Sequence, residues 1–246
     1  GDRLSALFHL CLCGRITTVW LIKMNIQFHH VTKTIHGNRV IDDVSMELCS
    51  GTVVGLRGIN GSGKTMLLRL LAGLIYPSSG TITVDDAVLG KTISSVESTG
   101  LLIENPAFLD DYTGFDNLKI LTSLKGKVSD DTIAHTLQST GLDPQDKRTY
   151  KKYSLGMKQR LGLAAAFVES PQLILLDEPT NALDDDGISL FRTLVQTHQK
   201  QNALIVLACH DLAILQDLCD EIYTIQDGTI QAHTKKSDEW EFPDAT

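Results

Sequence analysis

The sequence predicts an α/β domain in which a mostly parallel sheet is covered by helices and carries a helical insertion. Three observations predict it. Short apolar runs of strand length alternate with segments of helical periodicity across residues 24–232. One of these runs, 52–57, feeds a glycine-rich octet that opens a leucine-patterned helix. The stretch of about 105–170 has few strand-like runs, reads as polar helices and contains the breaker pair Asp143-Pro144.

The elements follow in chain order. Residues 1–23 read as a non-native or extension segment ahead of Met24, where a clean strand-like pattern begins. The apolar run 6–13 imitates a signal-peptide core but has no convincing small-residue cleavage site after it. Strands are expected at 25–31, 41–48, 52–57, 81–84, 100–103, 173–177, 203–208 and 221–225. After Lys64, Leu67, Leu70, Leu71 and Leu74 recur at helical spacing and predict one buried helix face, with Pro77 as its stop. Ile188, Phe191 and Leu194 repeat that spacing and predict a second covering helix. Residues 233–246 read as a polar, frayed tail.

Composition narrows the function. A chain of 246 residues suits one large α/β domain with an ample core. The net charge of −8 argues against the basic stripe that nucleic-acid backbones select, so no nucleic-acid partner is expected. Five scattered cysteines without CxxC spacing predict free thiols, with neither a disulfide framework nor a zinc motif. No apolar run approaches the roughly 20 residues that a membrane-spanning helix requires.

The octet Gly58-Ile59-Asn60-Gly61-Ser62-Gly63-Lys64-Thr65 matches G-x-x-x-x-G-K-[ST] between a strand and a helix, the context that identifies a P-loop. Its glycines let backbone amides turn inward around phosphate oxygens, and the helix N-terminus adds positive potential. Lys64 is expected to reach the β/γ-phosphates and Thr65 to place its hydroxyl on Mg²⁺. A second half of the site appears at 173–179, where an apolar strand ends in Asp177 and Glu178. Asp177 would hold Mg²⁺, and Glu178 would polarise an attacking water.

With these motifs in order, the chain from Met24 to about Ala232 resembles the ATP-binding subunits of ABC transporters. Tyr153-Ser154-Leu155-Gly156-Met157-Lys158-Gln159-Arg160 resembles the family's LSGGQ signature, keeping Ser154 and Gly156, with Leu155 and Met157 in place of Gly and Gln. Asn181-Ala182-Leu183-Asp184 looks like the D-loop, and His210 like the switch histidine that senses the γ-phosphate. Glu104 stands at the Q-loop position, where most relatives carry Gln, and is a further candidate for Mg²⁺ or water. His36 falls nearest the place where relatives stack an aromatic ring on adenine. Glu104, Pro106, Phe108 and the Tyr-Ser-Leu-Gly-Met run look like the bacterial branch that exports, or protects against, lantibiotics and bacitracin-like peptides.

The resemblance implies ATP and Mg²⁺ as ligands, antiparallel strands at the N-terminal side of the fold, and nucleotide contacts from Gly58, Ile59, Asn60, Gly61, Ser62, Gly63, Lys64, Thr65, Met66, His36, Ser154 and Gly156. Glu178 and His210 are the implied catalytic pair, and Thr65, Glu104 and Asp177 the implied metal set. With one P-loop and one signature, the chain would need a second copy of itself or a related cassette. It would sit in the cytoplasm, against the inner face of the cell membrane, on a separate permease. Exporter ATPase is the leading expectation; an importer subunit and a soluble ABC ATPase that remodels a macromolecule are the alternatives.

Overall fold

The computed structural model describes residues 24–104, 107–124, 126 and 128–238. The readings made on 1–23, on residues 105 and 106, and on 239–246 lie outside them. Strands β1 (Asn25–Ile35) and β2 (Asn38–Cys49) pair antiparallel. Ile26, Phe28 and Val31 in β1, and Ile41, Val44, Met46 and Leu48 in β2, are all buried, so one face of the hairpin is apolar. Both strands exceed the predicted runs, because their polar ends still pair, Thr34 with Arg39 and Ile35 with Asn38. The two-residue turn His36-Gly37 has φ of 48° and 83°, the left-handed pair that matches strand twist.

Next come β3 (Val53–Arg57), α1 (Lys64–Leu71), β4 (Ser79–Val84), β5 (Ala87–Val88) and β6 (Thr99–Leu102). Leu67, Leu70 and Leu71 are buried as expected, but Leu74 is 60% exposed. The helix stops before it: Gly73 takes φ 70°, and a Cβ there would lie 2.3 Å from the Ser94 carbonyl oxygen. That turn ends α1, ahead of Pro77.

The helical insertion holds α2 (Gly114–Ser123), α3 (Asp130–Ser139), a 3₁₀ turn (Tyr150–Lys152) and α4 (Leu155–Phe167). It has its own apolar centre, with Leu118, Ile133, Leu137, Tyr150, Tyr153 and Leu161. The chain then returns through β7 (Leu173–Asp177), α5 (Asp185–Lys200), β8 (Leu204–Cys209), α6 (Leu212–Leu218), β9 (Glu221–Gln226) and β10 (Thr229–Lys235). β10 corrects the polar-tail reading at 233–235. These residues pair with β9 out to Lys235 opposite Glu221. His233 stacks on Tyr223 at 4.0 Å between ring centroids and bonds Glu221 through Nε2 at 2.7 Å.

Two sheets result, a four-stranded antiparallel one in the order β2-β1-β4-β5 and a six-stranded one in the order β10-β9-β3-β8-β7-β6. In the second, β9, β3, β8, β7 and β6 run parallel. α1 lies between the sheets, its leucines joined to Val54, Leu56, Leu175 and Val206 on one side and to Ile26, Phe28 and Ile82 on the other. Residues of the opposite parity, including Val53, Ile174, Leu176, Ile205 and Leu207, face Phe167 of α4, Phe191 of α5 and Leu215 of α6. A sheet buried on both faces explains why β7 and β8 read as unbroken apolar runs.

Candidate active site

Parallel pairing sets the C-terminal ends of β3, β8 and β7 side by side, with Arg57 opposite Cys209 and Ala208 opposite Asp177. Ligands of such sheets bind at this edge. The glycine-rich loop 58–63 leaves β3 here and enters α1, with Gly63 at the N-cap in a left-handed conformation, φ 112°. A Cβ on Gly63 would sit 3.0 Å from both Ile41 Cδ1 and the Val40 carbonyl oxygen, so the start of β2 holds the loop closed at that end.

Lys64 is buried, and its Nζ donates to the carbonyl oxygens of Gly58 at 2.7 Å and Ile59 at 3.1 Å. The Thr65 hydroxyl donates to Asp177 Oδ2 at 2.7 Å, bringing together residues more than a hundred apart in sequence. Burial pushes the Asp177 carboxyl above the usual carboxylate range; the Thr65 bond opposes this and the Glu178 charge adds to it. Glu178 has φ 46°, with its N–H bonded to the Ala208 carbonyl at 2.8 Å. Its Oε2 contacts His210 Nδ1 at 2.8 Å. Its Oε1 is buried without a hydrogen-bond partner, 4.0 Å from Lys64 Nζ. The Ser62 hydroxyl is likewise buried and unpartnered. Lys64, Thr65, Asp177, Glu178 and His210 therefore gather at one place.

The other expected residues stand around that centre. Ser154 caps α4, accepting from the Met157 N–H at 3.2 Å, and Leu155 beside it is 70% exposed. A Cβ on Gly156 would lie 2.8 Å from the Ala182 carbonyl oxygen, so the signature-like turn and the D-loop-like turn are neighbours. His36 is exposed on the β1–β2 turn. Glu104 Oε1 is held by Arg69 Nη2 at 2.5 Å, and its charge helps raise the Asp177 carboxyl.

Two structural roles escaped the sequence. Gln159 Nε2 donates to the carbonyls of Glu178 (3.2 Å) and Pro179 (2.9 Å), tying α4 to the acid-bearing turn. Arg160 bonds Asp184 and the Thr140 carbonyl, joining the insertion to the start of α5. The Asp184 carboxyl is held below its usual range by the Gly187 N–H and by Arg160. Both side chains lie in the run after Ser154, but nothing local in sequence marks their partners.

Residues 41–181 match the family described as ABC transporter. The chain is 41% identical over 210 residues to the uncharacterized ABC transporter ATP-binding protein YybJ of Bacillus subtilis, covering 85% of this chain and 96% of that one. It is 34% identical to the bacitracin transport ATP-binding protein BcrA of Enterococcus faecalis, over 82% of this chain and 67% of that one. It is also 34% identical to the lantibiotic transport ATP-binding protein SrtF of Streptococcus pyogenes, over 83% of this chain and 88% of that one. Among solved structures, the ATP-binding subunit of an ABC transporter superposes with a TM-score of 0.78 at 23% identity, over 87% and 90% of the two chains. A dimeric bacterial ABC transporter cassette superposes equally well at 21% identity, over 86% and 98%. The chain belongs to the ABC transporter family, as an ATP-binding ATPase subunit.

Proposed function

We propose that this cassette binds ATP with Mg²⁺, closes as a pair with a second cassette, and drives a separate membrane permease that exports an amphiphilic peptide of the bacitracin or lantibiotic class. The observation that carries the hydrolytic part is the divided Glu178 carboxylate: Oε2 rests on His210 while the buried Oε1 has no partner and faces the Lys64 side of the loop. A water that donates to Oε1 loses its proton there as it attacks the γ-phosphorus. His210 keeps the carboxylate turned toward that water and offers its ring to the γ-phosphate.

Lys64 exchanges the Gly58 and Ile59 carbonyls for phosphate oxygens, and the amides of 58–63 with the α1 N-terminus accept the remaining charge. Thr65 and Asp177 fit Mg²⁺, because an all-oxygen pair 2.7 Å apart at the mouth of the phosphate loop is the donor chemistry that ion takes. Bound there, Mg²⁺ neutralises phosphate charge. Burial that raises Asp177 makes a testable pairing of effects. Asp177→Asn should raise the melting temperature of the nucleotide-free protein, because it removes a desolvated negative charge. The same change should abolish the extra stabilisation given by Mg²⁺ with ATP. Thermal melts with and without ligand check both halves, and an undiminished ligand shift sinks the Asp177 assignment.

Ile59 and Leu155 are 75% and 70% exposed in the two loops of the phosphate and signature motifs. Apolar side chains presented there favour a second cassette laid across them, with Ser154 and Gly156 of each copy closing the other copy's nucleotide. His36, on an exposed turn beside β2, offers an imidazole to the adenine ring. Glu104, held on Arg69, links α1 to the junction with the helical insertion. Glu104→Gln should leave ATP affinity within about threefold, since an exposed ion pair contributes only about 0–1 kcal/mol, while changing permease-stimulated hydrolysis. Loss of ATP binding would give Glu104 a different role.

The permease and cargo are inferred from BcrA and SrtF, whose names carry bacitracin and lantibiotic transport. No helix among the described residues is long and apolar enough to cross a membrane. Pull-down of tagged protein from detergent-solubilised membranes should recover a polytopic membrane protein at fixed ratio. Recovery with soluble macromolecular machinery alone would overturn the transport reading and leave the ATPase standing.

A further inference from the structure

We infer that Glu178, Cys209 and His210 form a binding site for Zn²⁺, and that its occupation arrests ATP hydrolysis. Among the described residues, these three form the one group of candidate ligands in which a carboxylate oxygen, a thiol sulfur and an imidazole nitrogen all lie within 4.8 Å of one another. A tetrahedral zinc with bonds of about 2.0–2.3 Å sets its ligand atoms about 3.3–3.6 Å apart, so the ligands must close by at most about 1.2–1.5 Å. The structure has that freedom on one side only. His210 is 59% exposed at its side chain and already touches Glu178 at 2.8 Å, so its ring can turn. Cys209 is the fixed point: it ends β8, is buried, and its Sγ accepts from the Asp211 N–H at 3.4 Å.

The charges suit a dication. Thiolate and carboxylate balance it, the neutral imidazole is the third ligand, and water fills the fourth position. The buried thiol releases its proton on binding. The Glu178 carboxylate, whose Oε2 already meets the His210 ring, supplies the oxygen ligand. A mixed S, N, O set prefers zinc to magnesium, whereas the neighbouring Thr65 and Asp177 oxygens prefer the harder ion. The edge of the sheet thus carries two cation sites of different chemistry within one catalytic centre. Nothing in the hydrolytic mechanism calls for a thiol at 209, which gives the second site its selectivity. Zinc held by Glu178 and His210 removes both from the γ-phosphate. Occupancy stands on the geometry alone; the arrest rests on the reading of Glu178 as base.

The test uses the full chain carrying Cys11→Ser, Cys13→Ser and Cys49→Ser, which removes the other thiols outside the buried Cys219. Titration with Co²⁺ should produce a thiolate-to-cobalt charge-transfer band that saturates at one equivalent and is displaced by Zn²⁺. Adding Cys209→Ser should abolish the band; since this residue is buried, a melting curve and a far-ultraviolet circular dichroism spectrum matching the parent show that the variant is folded. His210→Ala, at an exposed position, should weaken cobalt binding by at least roughly tenfold, since losing a ligand costs no less than losing an outer-shell partner. With Mg·ATP saturating, Zn²⁺ should suppress hydrolysis in the parent, reversibly on chelation, while Cys209→Ser keeps its own zinc-free rate when Zn²⁺ is added. A band that persists without Cys209 overturns the site. A band that vanishes, in a parent whose hydrolysis ignores bound zinc, overturns the arrest and leaves the site; Glu178→Gln then judges the base separately.

Discussion

Glu178→Gln will bind ATP with nearly unchanged affinity while hydrolysis falls by about 10²–10⁴-fold, the scale of a lost general base. The amide keeps the shape of the side chain and can still meet His210, but its neutral oxygen cannot take a proton from water. The buried Oε1 is the atom that loses its function, and Lys64, 4.0 Å away, loses a counter-charge. With product formation blocked, ATP-bound pairs should accumulate. Calorimetry, phosphate release and gel filtration in ATP report the three effects. Hydrolysis at the parent rate would remove Glu178 from the mechanism, and loss of binding would move it to the nucleotide contacts.

Lys64→Ala should weaken ATP binding by about a hundredfold or more, the effect of truncating one partner of a desolvated charge pair, roughly 2–5 kcal/mol. Two causes add. The phosphates lose a cation, and the loop loses the brace that Nζ makes to the carbonyls of Gly58 and Ile59. Unpaired, those carbonyls point negative dipoles into a cradle meant for anions. Calorimetry measures the loss, and circular dichroism on the free protein separates it from unfolding. Unchanged affinity would end the assignment of this loop to phosphate.

The main elements were legible because their signals are local. The strand before Gly58 and the leucines after Lys64 bracket the phosphate loop within a few turns of chain. The run ending at Asp177 is unbroken and apolar because both faces of β7 are buried. Elements whose identity depends on a distant partner were missed or misjudged. β10 reads as a polar tail because only its pairing with β9 makes 233–235 a strand. Leu74 fits the helical period, yet Gly73 ends α1 first. The Arg69–Glu104 pair, which ties α1 to the start of the insertion, has no local mark in the sequence either.

The family, the glycine-rich turn 58–63 between strand and helix, and the strand-end acids 177–178 were determined by sequence alone, because glycine conformation, helix N-termini and strand-end acids act over short spans of chain. Only the tertiary structure decided that Thr65 meets Asp177, that His210 takes one oxygen of Glu178 and leaves the other free, and that Cys209 stands within reach of both. The five cysteines have no zinc spacing, since the ligands come from the ends of two different strands. The order β3-β8-β7 brings those ends together, and strand order is set by burial of whole faces rather than by any local run of residues.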